Sequence, residues 1–222
     1  DHDVDYPCFL LCRWDQSIGN ENRLEVYGPT HTERITHGVL DDGGLFAHDW
    51  QARVNHPLSQ QVHVNRGGTL PRKPPDVFAK DVGPGRVFSG DTWEVSAAPG
   101  QHVEPYLDSL AYRIDSEEGS IVFTGDTQPC SSVTNLANQA DVMLCMCWDH
   151  QNVMDENGEA GGQCGTLGAA KMAQEAGVKK LVLVHIGPRL ALDESMAEGI
   201  SDIRREYDGE ILFSDELMSF DV

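Results

Sequence analysis

Apolar and polar positions follow two regimes along this 222-residue chain. From Arg86 onward the pattern is regular. "RVFSGDTWEVSAAPG" predicts one or two strands. "DSLAYRID" and "GSIVFTGD" alternate apolar and polar positions on either side of the polar turn "SEEGS", which predicts a β-hairpin. "DVMLCMCW" and "VKKLVLVH" are unbroken apolar runs of buried-strand length. "CSSVTNLANQA", "GTLGAAKMAQEAG" and "DESMAEGISDIRREYDG" read as helices, the second ending on Gly177 and the third opening with Asp193 as N-cap. "EILFSD" and "LMSFDV" are expected as closing strands.

Before Arg86 the signal is weaker. A helix is expected from about Val4 to Trp14, then a short strand in "RLEVYGP" closed by Gly28-Pro29. Residues 30–84 read as a polar insert with one short helix in "THTERITHGVL" and a Gly/Pro-marked loop, "RGGTLPRKPP". Strands that first pair as hairpins and then alternate with helices make an α/β layered protein, expected as one domain over residues 1–222.

Charge narrows the function classes. The chain carries 36 Asp and Glu against 16 Lys and Arg, a formal net charge of −20. Phosphate binding needs clustered cations, so broad contact with nucleic acid is disfavoured unless one local basic groove exists. The longest apolar runs are too short to span a bilayer. Six cysteines, Cys8, Cys12, Cys130, Cys145, Cys147 and Cys164, lie in or beside apolar segments without a paired framework. That favours a reducing, cytoplasmic setting. Cys8 with Cys12, four apart on a helix, and Cys145 with Cys147, two apart on a strand, each share a face. A structural zinc held by these four is an open alternative.

Chemistry concentrates at strand ends. "SIVFTGD" ends at Asp126, "LVLVH" ends at His185, and "WEVSAAPGQH" leads to His102. Imidazole and carboxylate donors held at the exits of buried strands suit zinc, manganese or iron. The chain itself opens on Asp1-His2. His31, His37, His48, His56 and His63 fall in the polar insert and are expected in surface or packing roles.

"FTGDT", "LVLVHIGPR", "HVEPYLDSLAYRID" and the leading "DH" together resemble the metallo-β-lactamase fold, within it the ribonuclease Z-like branch of metal-dependent hydrolases. The resemblance runs in order along the whole chain. It implies an αββα sandwich, here without its N-terminal strands, and one or two metal ions. Asp1 and His2 match the end of the family's His-x-His-x-Asp-His motif, His102 the next histidine, Asp126 the bridging aspartate and His185 the last histidine. Asp1, His2, His102, Asp126 and His185 are therefore the expected ligands, with Asp126, His185 and Asp1 at the catalytic centre. The His-x-His pair is expected upstream of Asp1.

One departure bears on the reaction. The ribonuclease Z branch often has His-Glu where this chain has Cys145-Met146, and a His where it has Cys164. Those residues help protonate the departing oxygen, work for which Met146 and a neutral Cys164 are unsuited. His150 or Asp149 remains as a nearby substitute. Loss of the acid points to substrates whose leaving group needs no proton. The expected function is hydrolysis, by a metal-activated water, of a small molecule with an activated carbon or ester centre. A hydrolytic dehalogenase of the chlorothalonil type is one specialised form. The rivals are a ribonuclease Z-like nuclease or phosphodiesterase and a non-catalytic metal-binding scaffold. Trp14, Trp148 and Cys164 are expected against the substrate, with no membrane partner and a homodimer left open.

Overall fold

The computed structural model describes residues 2–222; Asp1 lies outside the described residues. The chain divides into two compact units, Asp1–Val82 and Gly83–Val222.

In the first unit, helix α1 (Tyr6–Gln16) is followed by β1 (Leu24–Gly28), α2 (Thr32–Leu40), α3 (Ala47–Asn55), α4 (Pro57–Asn65) and β2 (Val77–Asp81). Strands β1 and β2 pair in parallel, from Leu24 opposite Val77 to Gly28 opposite Asp81. Leu10, Val39 and Leu40 form a small core with Tyr6, Leu24, Ile35 and Phe46 packed on it. Asp81 at the end of β2 caps α2: its carboxylate accepts from the backbone N–H groups of His31 and Glu33, and the Glu33 carboxylate accepts from the Asp81 N–H. The exchange satisfies donors that a helix start leaves without intrahelical partners.

Residues 30–84 are thus more structured than the pattern suggests, with three helices and a strand. The reason lies in shallow burial. Helix α3 buries only Ala47 and Trp50, and α4 only His63, so neither carries an apolar stripe of helical period. Pro57 instead starts α4, where a missing N–H costs nothing.

The second unit is built on one seven-stranded sheet in sequential order. Its strands are β3 (Gly85–Ser89), β4 (Trp93–Pro99), β5 (Leu110–Ser116), β6 (Gly119–Phe123), β7 (Val142–Met146), β8 (Lys180–Val184) and β9 (Glu210–Phe213). Strands β3 to β6 are antiparallel, and β6 to β9 are parallel. The predicted hairpin is β5–β6, with Ser116 opposite Gly119. Helices α5 (Ser131–Leu136), α6 (Gln151–Asn157), α7 (Thr166–Ala176) and α8 (Asp193–Ile203) supply the crossovers. Helix α5 packs on β4 and β5, and α7 on β7 and β8 with α8 beside it.

Sheet and helices enclose the main core, in which Val122, Met143, Cys145, Leu181 and Leu183 are fully buried. Each large apolar side chain removed from water contributes roughly 1.5–3 kcal/mol, so β6, β7 and β8 form a rigid centre. Outside it, Arg113 reaches the carbonyls of Leu136 and Asn138 and the carboxylate of Asp115, tying β5 to the α5–β7 loop. Asp141 accepts from Lys179 and from Ser120, which holds its carboxyl at about 2.

Three details differ from the sequence reading. "LMSFDV" is irregular rather than a strand; Lys180 holds it by donating to the Asp221 carbonyl. Leu192, not Asp193, is the N-cap of α8, and Asp193 takes the first helical position, where an acidic residue still complements the helix dipole. Helix α6, only seven residues long, gives no periodic signal.

Candidate metal centre

Strand direction explains why the candidate ligands of the second unit meet. Strand β4 is antiparallel to β5, which is antiparallel to β6, and β8 runs parallel to β6 through β7. The carboxyl ends of β4, β6 and β8 therefore lie along one sheet edge, the position where open α/β sheets place their ligands. His102 follows β4, Asp126 follows β6 and His185 follows β8.

All three side chains converge. His102 Nε2 lies 3.9 Å and His185 Nε2 lies 3.5 Å from the same atom, Asp126 Oδ2. Asp126 and His102 side chains are 15% exposed and His185 is 30% exposed, so the group is shielded yet open to a small ligand. His102 Nδ1 donates to the Gly162 carbonyl at 2.7 Å. A carbonyl can only accept, so Nδ1 carries the proton and Nε2 is the nitrogen presented towards Asp126. Backbone-carbonyl anchoring of the far ring nitrogen is the usual support for a metal-binding histidine. Atoms about 2.0–2.2 Å from a shared zinc ion stand roughly 3–4 Å apart. The Asp126–His185 and Asp126–His102 spacings each suit a divalent cation, but among the described residues the three side chains do not form one tight metal-holding group.

Each ligand is held by its loop. Gly125, with φ +59°, makes the turn that delivers Asp126 from β6, a conformation that suits glycine. The following residue, Thr127, donates its N–H to Met146 Sδ, and the Met146 N–H donates to Thr124 Oγ1. Met146 therefore pins the Asp126 loop to β7. His185 itself adopts φ +52°, a strained value for a residue with a Cβ and of the kind found at functional sites. Beyond it, the Gly187 N–H donates to the Trp148 carbonyl, and a Cβ on Gly187 would come within 2.3 Å of that oxygen. The Trp148 ring lies 5.7 Å from that of His185, packed against the core rather than standing free.

Glutamines join the His102 and Asp126 loops, and nothing in their pattern signals it. Gln128 Nε2 donates to Gln101 Oε1, the Gln128 N–H donates to the Gln101 carbonyl, and Gln128 Oε1 accepts from the Gly162 N–H. Gln128 thereby positions the carbonyl that orients His102. Gln128→Ala is expected to weaken the binding of a divalent metal by about 10–100-fold, the usual cost of losing such support. Chelator competition with a parallel melting curve measures this; unchanged affinity would remove Gln128 from the account.

Two of the other expected site residues, His2 and Trp14, belong to the first unit. His2 precedes α1 in the first unit and is exposed, and Asp1 lies outside the described residues. Trp14 is also in the first unit, beneath Arg72 (4.2 Å from guanidinium carbon to ring centroid), with its indole N–H on the Lys73 carbonyl. Cys164 is fully buried, which leaves its thiol no surface for a substrate and corrects that expectation to a packing role. Its hydrogen bond with Cys145, then burial, push the thiol well above the ordinary range, so it stays neutral. Neither suggested substitute acid is free for that work. Asp149 accepts from Arg189 Nε and from the His150 N–H, and His150 contacts Ser195 Oγ at 2.9 Å and Asp202 Oδ2 at 3.5 Å. Among the described residues no metal-holding group of three or more contains a cysteine.

Known proteins resemble this chain in sequence and fold. The Beta-lactamase superfamily domain matches residues 46–186. Ribonuclease Z of Mycobacterium sp. (strain KMS) is 26% identical over 201 residues, covering 86% of this chain; the chain spans 64% of that relative's length. The fold of the metallo-beta-lactamase fold protein YhfI from Bacillus subtilis matches with a TM-score of 0.61 at 17% identity, over 96% of this chain and 70% of that one. Human tRNase Z, short form, matches with a TM-score of 0.57 at 16% identity, over 96% and 71%. With more than half its length matched, and with His102, Asp126 and His185 gathered at one sheet edge, the chain belongs to the β-lactamase superfamily.

Proposed function

We propose that this protein is a metal-dependent hydrolase whose substrates release a leaving group stable as an anion. Two observations support it: two histidines around Asp126 at the sheet edge, and a neutral, fully buried Cys164 at the position where the resemblance to the ribonuclease Z branch implies a histidine. Asp126 and His185 would hold one ion, with His2 and Asp1 as further ligands from the sequence motif, and His102 with the shared Asp126 would hold a second. A bound divalent ion, zinc in the first instance and manganese or iron by the same donor chemistry, supplies Lewis acidity and lowers the pKa of a coordinated water. The chain's own part is to fix the donors: Gly162 sets the His102 tautomer, Met146 and Thr124 hold the Asp126 loop, and Trp148 backs His185. With Asp149 and His150 engaged, no side chain of this set protonates the departing atom.

Activated esters, acidic phosphodiesters and chloride on an electron-poor ring all fit this chemistry. Comparing esters with a p-nitrophenolate and with an alkoxide leaving group tests it; equal rates would sink the reading. A second reading, hydrolysis of RNA, draws on the ribonuclease Z relative and on one local exception to the acidic surface. In the first unit Arg53, Arg66 and Arg72 surround Asp15 beside a cavity of about 320 Å³ that His56 and His63 also line. Competition by added RNA in the same ester assay would favour this reading. Six free thiols support the reducing, cytoplasmic setting; among the described residues no helix is long and apolar enough to cross a membrane.

A further inference from the structure

Helix α1 carries a feature that the hydrolytic centre does not use. Cys8 and Cys12 are both exposed, and their sulfurs stand 3.8 Å apart. The i, i+4 spacing places them on one helix face, one turn apart. Tetrahedral zinc binds thiolates at about 2.3 Å, which sets two sulfurs of one ion roughly 3.8 Å apart. The side chains therefore already stand at the separation of a chelate. The sulfur–sulfur hydrogen bond and the repulsion of a neighbouring thiolate raise the Cys8 thiol, and the charge of Asp5 adds to this. A divalent cation between the sulfurs reverses both effects, since it screens the two thiolates and is attracted by the nearby carboxylate.

We propose that Cys8 and Cys12 form a second metal site, a dithiolate chelate for a thiophilic divalent ion with tetrahedral preference, such as zinc or cadmium. Binding forms two metal–sulfur bonds and releases the two thiol protons to solvent. Among the described residues no third ligand completes a group with these sulfurs. The other two positions are therefore left to water or to a ligand from solution.

Cadmium titration of the reduced, purified chain tests the site, read by the ultraviolet thiolate-to-metal charge-transfer absorption. His and Asp donors give no such band, so the result is independent of the hydrolytic centre. The expected result is a band that saturates in the parent and in Cys130→Ser and is lost in Cys8→Ser and in Cys12→Ser. Both altered positions are exposed, and far-UV circular dichroism checks that their folds match the parent's. Absence of the band from the parent, or its persistence in both the Cys8 and Cys12 variants, would overturn the proposal.

Discussion

Asp126→Ala should lower the catalytic efficiency of the zinc-loaded protein by at least about 10³-fold while leaving the fold intact. One carboxylate oxygen is the common neighbour of His102 and His185, so removing it takes away the atom around which the two imidazoles are arranged. The ion's polarising effect on the substrate is worth several kcal/mol of transition-state stabilisation, and each 1.36 kcal/mol is tenfold in rate. The fold should survive because Asp126 sits on the loop after β6 and outside the buried core cluster. Steady-state kinetics, zinc content and circular dichroism together give the reading. A variant that turns over every substrate at the parent's rate would end the hydrolytic assignment.

The second large effect concerns the leaving group. General-acid assistance is worth about 10²–10⁴-fold. Cys164 is buried and neutral, and the Asp149 and His150 side chains are committed to Arg189, Ser195 and Asp202. The rate should therefore fall by at least that factor between a p-nitrophenyl ester and the corresponding alkyl ester. A flat dependence would mean that some other group delivers a proton, and the reaction class would need to be redrawn.

The parts of the fold that the sequence makes legible are those where burial writes a simple pattern. Strands β5 to β8 stand out because alternating or unbroken apolar runs are bounded by turns, and α7 because it buries Thr166, Ala169, Ala170, Met172, Ala173 and Ala176 and stops at Gly177. Helices α3 and α4 are hidden because each buries almost nothing. The same logic separates the site residues. His102, Asp126 and His185 stand out as candidates because a titratable side chain on the loop after an apolar strand is unusual. Gln101 and Gln128 are not, because a glutamine in a polar loop looks the same whether it binds water or another loop. Cys164 misleads because whether a thiol beside an apolar segment faces solvent or core depends on helix packing that no local pattern records. Met146 likewise conceals its role: a thioether sulfur accepting the Thr127 N–H has no sequence signature.

The most direct test of the central claim is hydrolysis of a p-nitrophenyl ester by the parent protein before chelation, after exhaustive chelation, and after return of zinc. Activity should disappear with the metal and return with it. Full activity in the metal-free protein would contradict it.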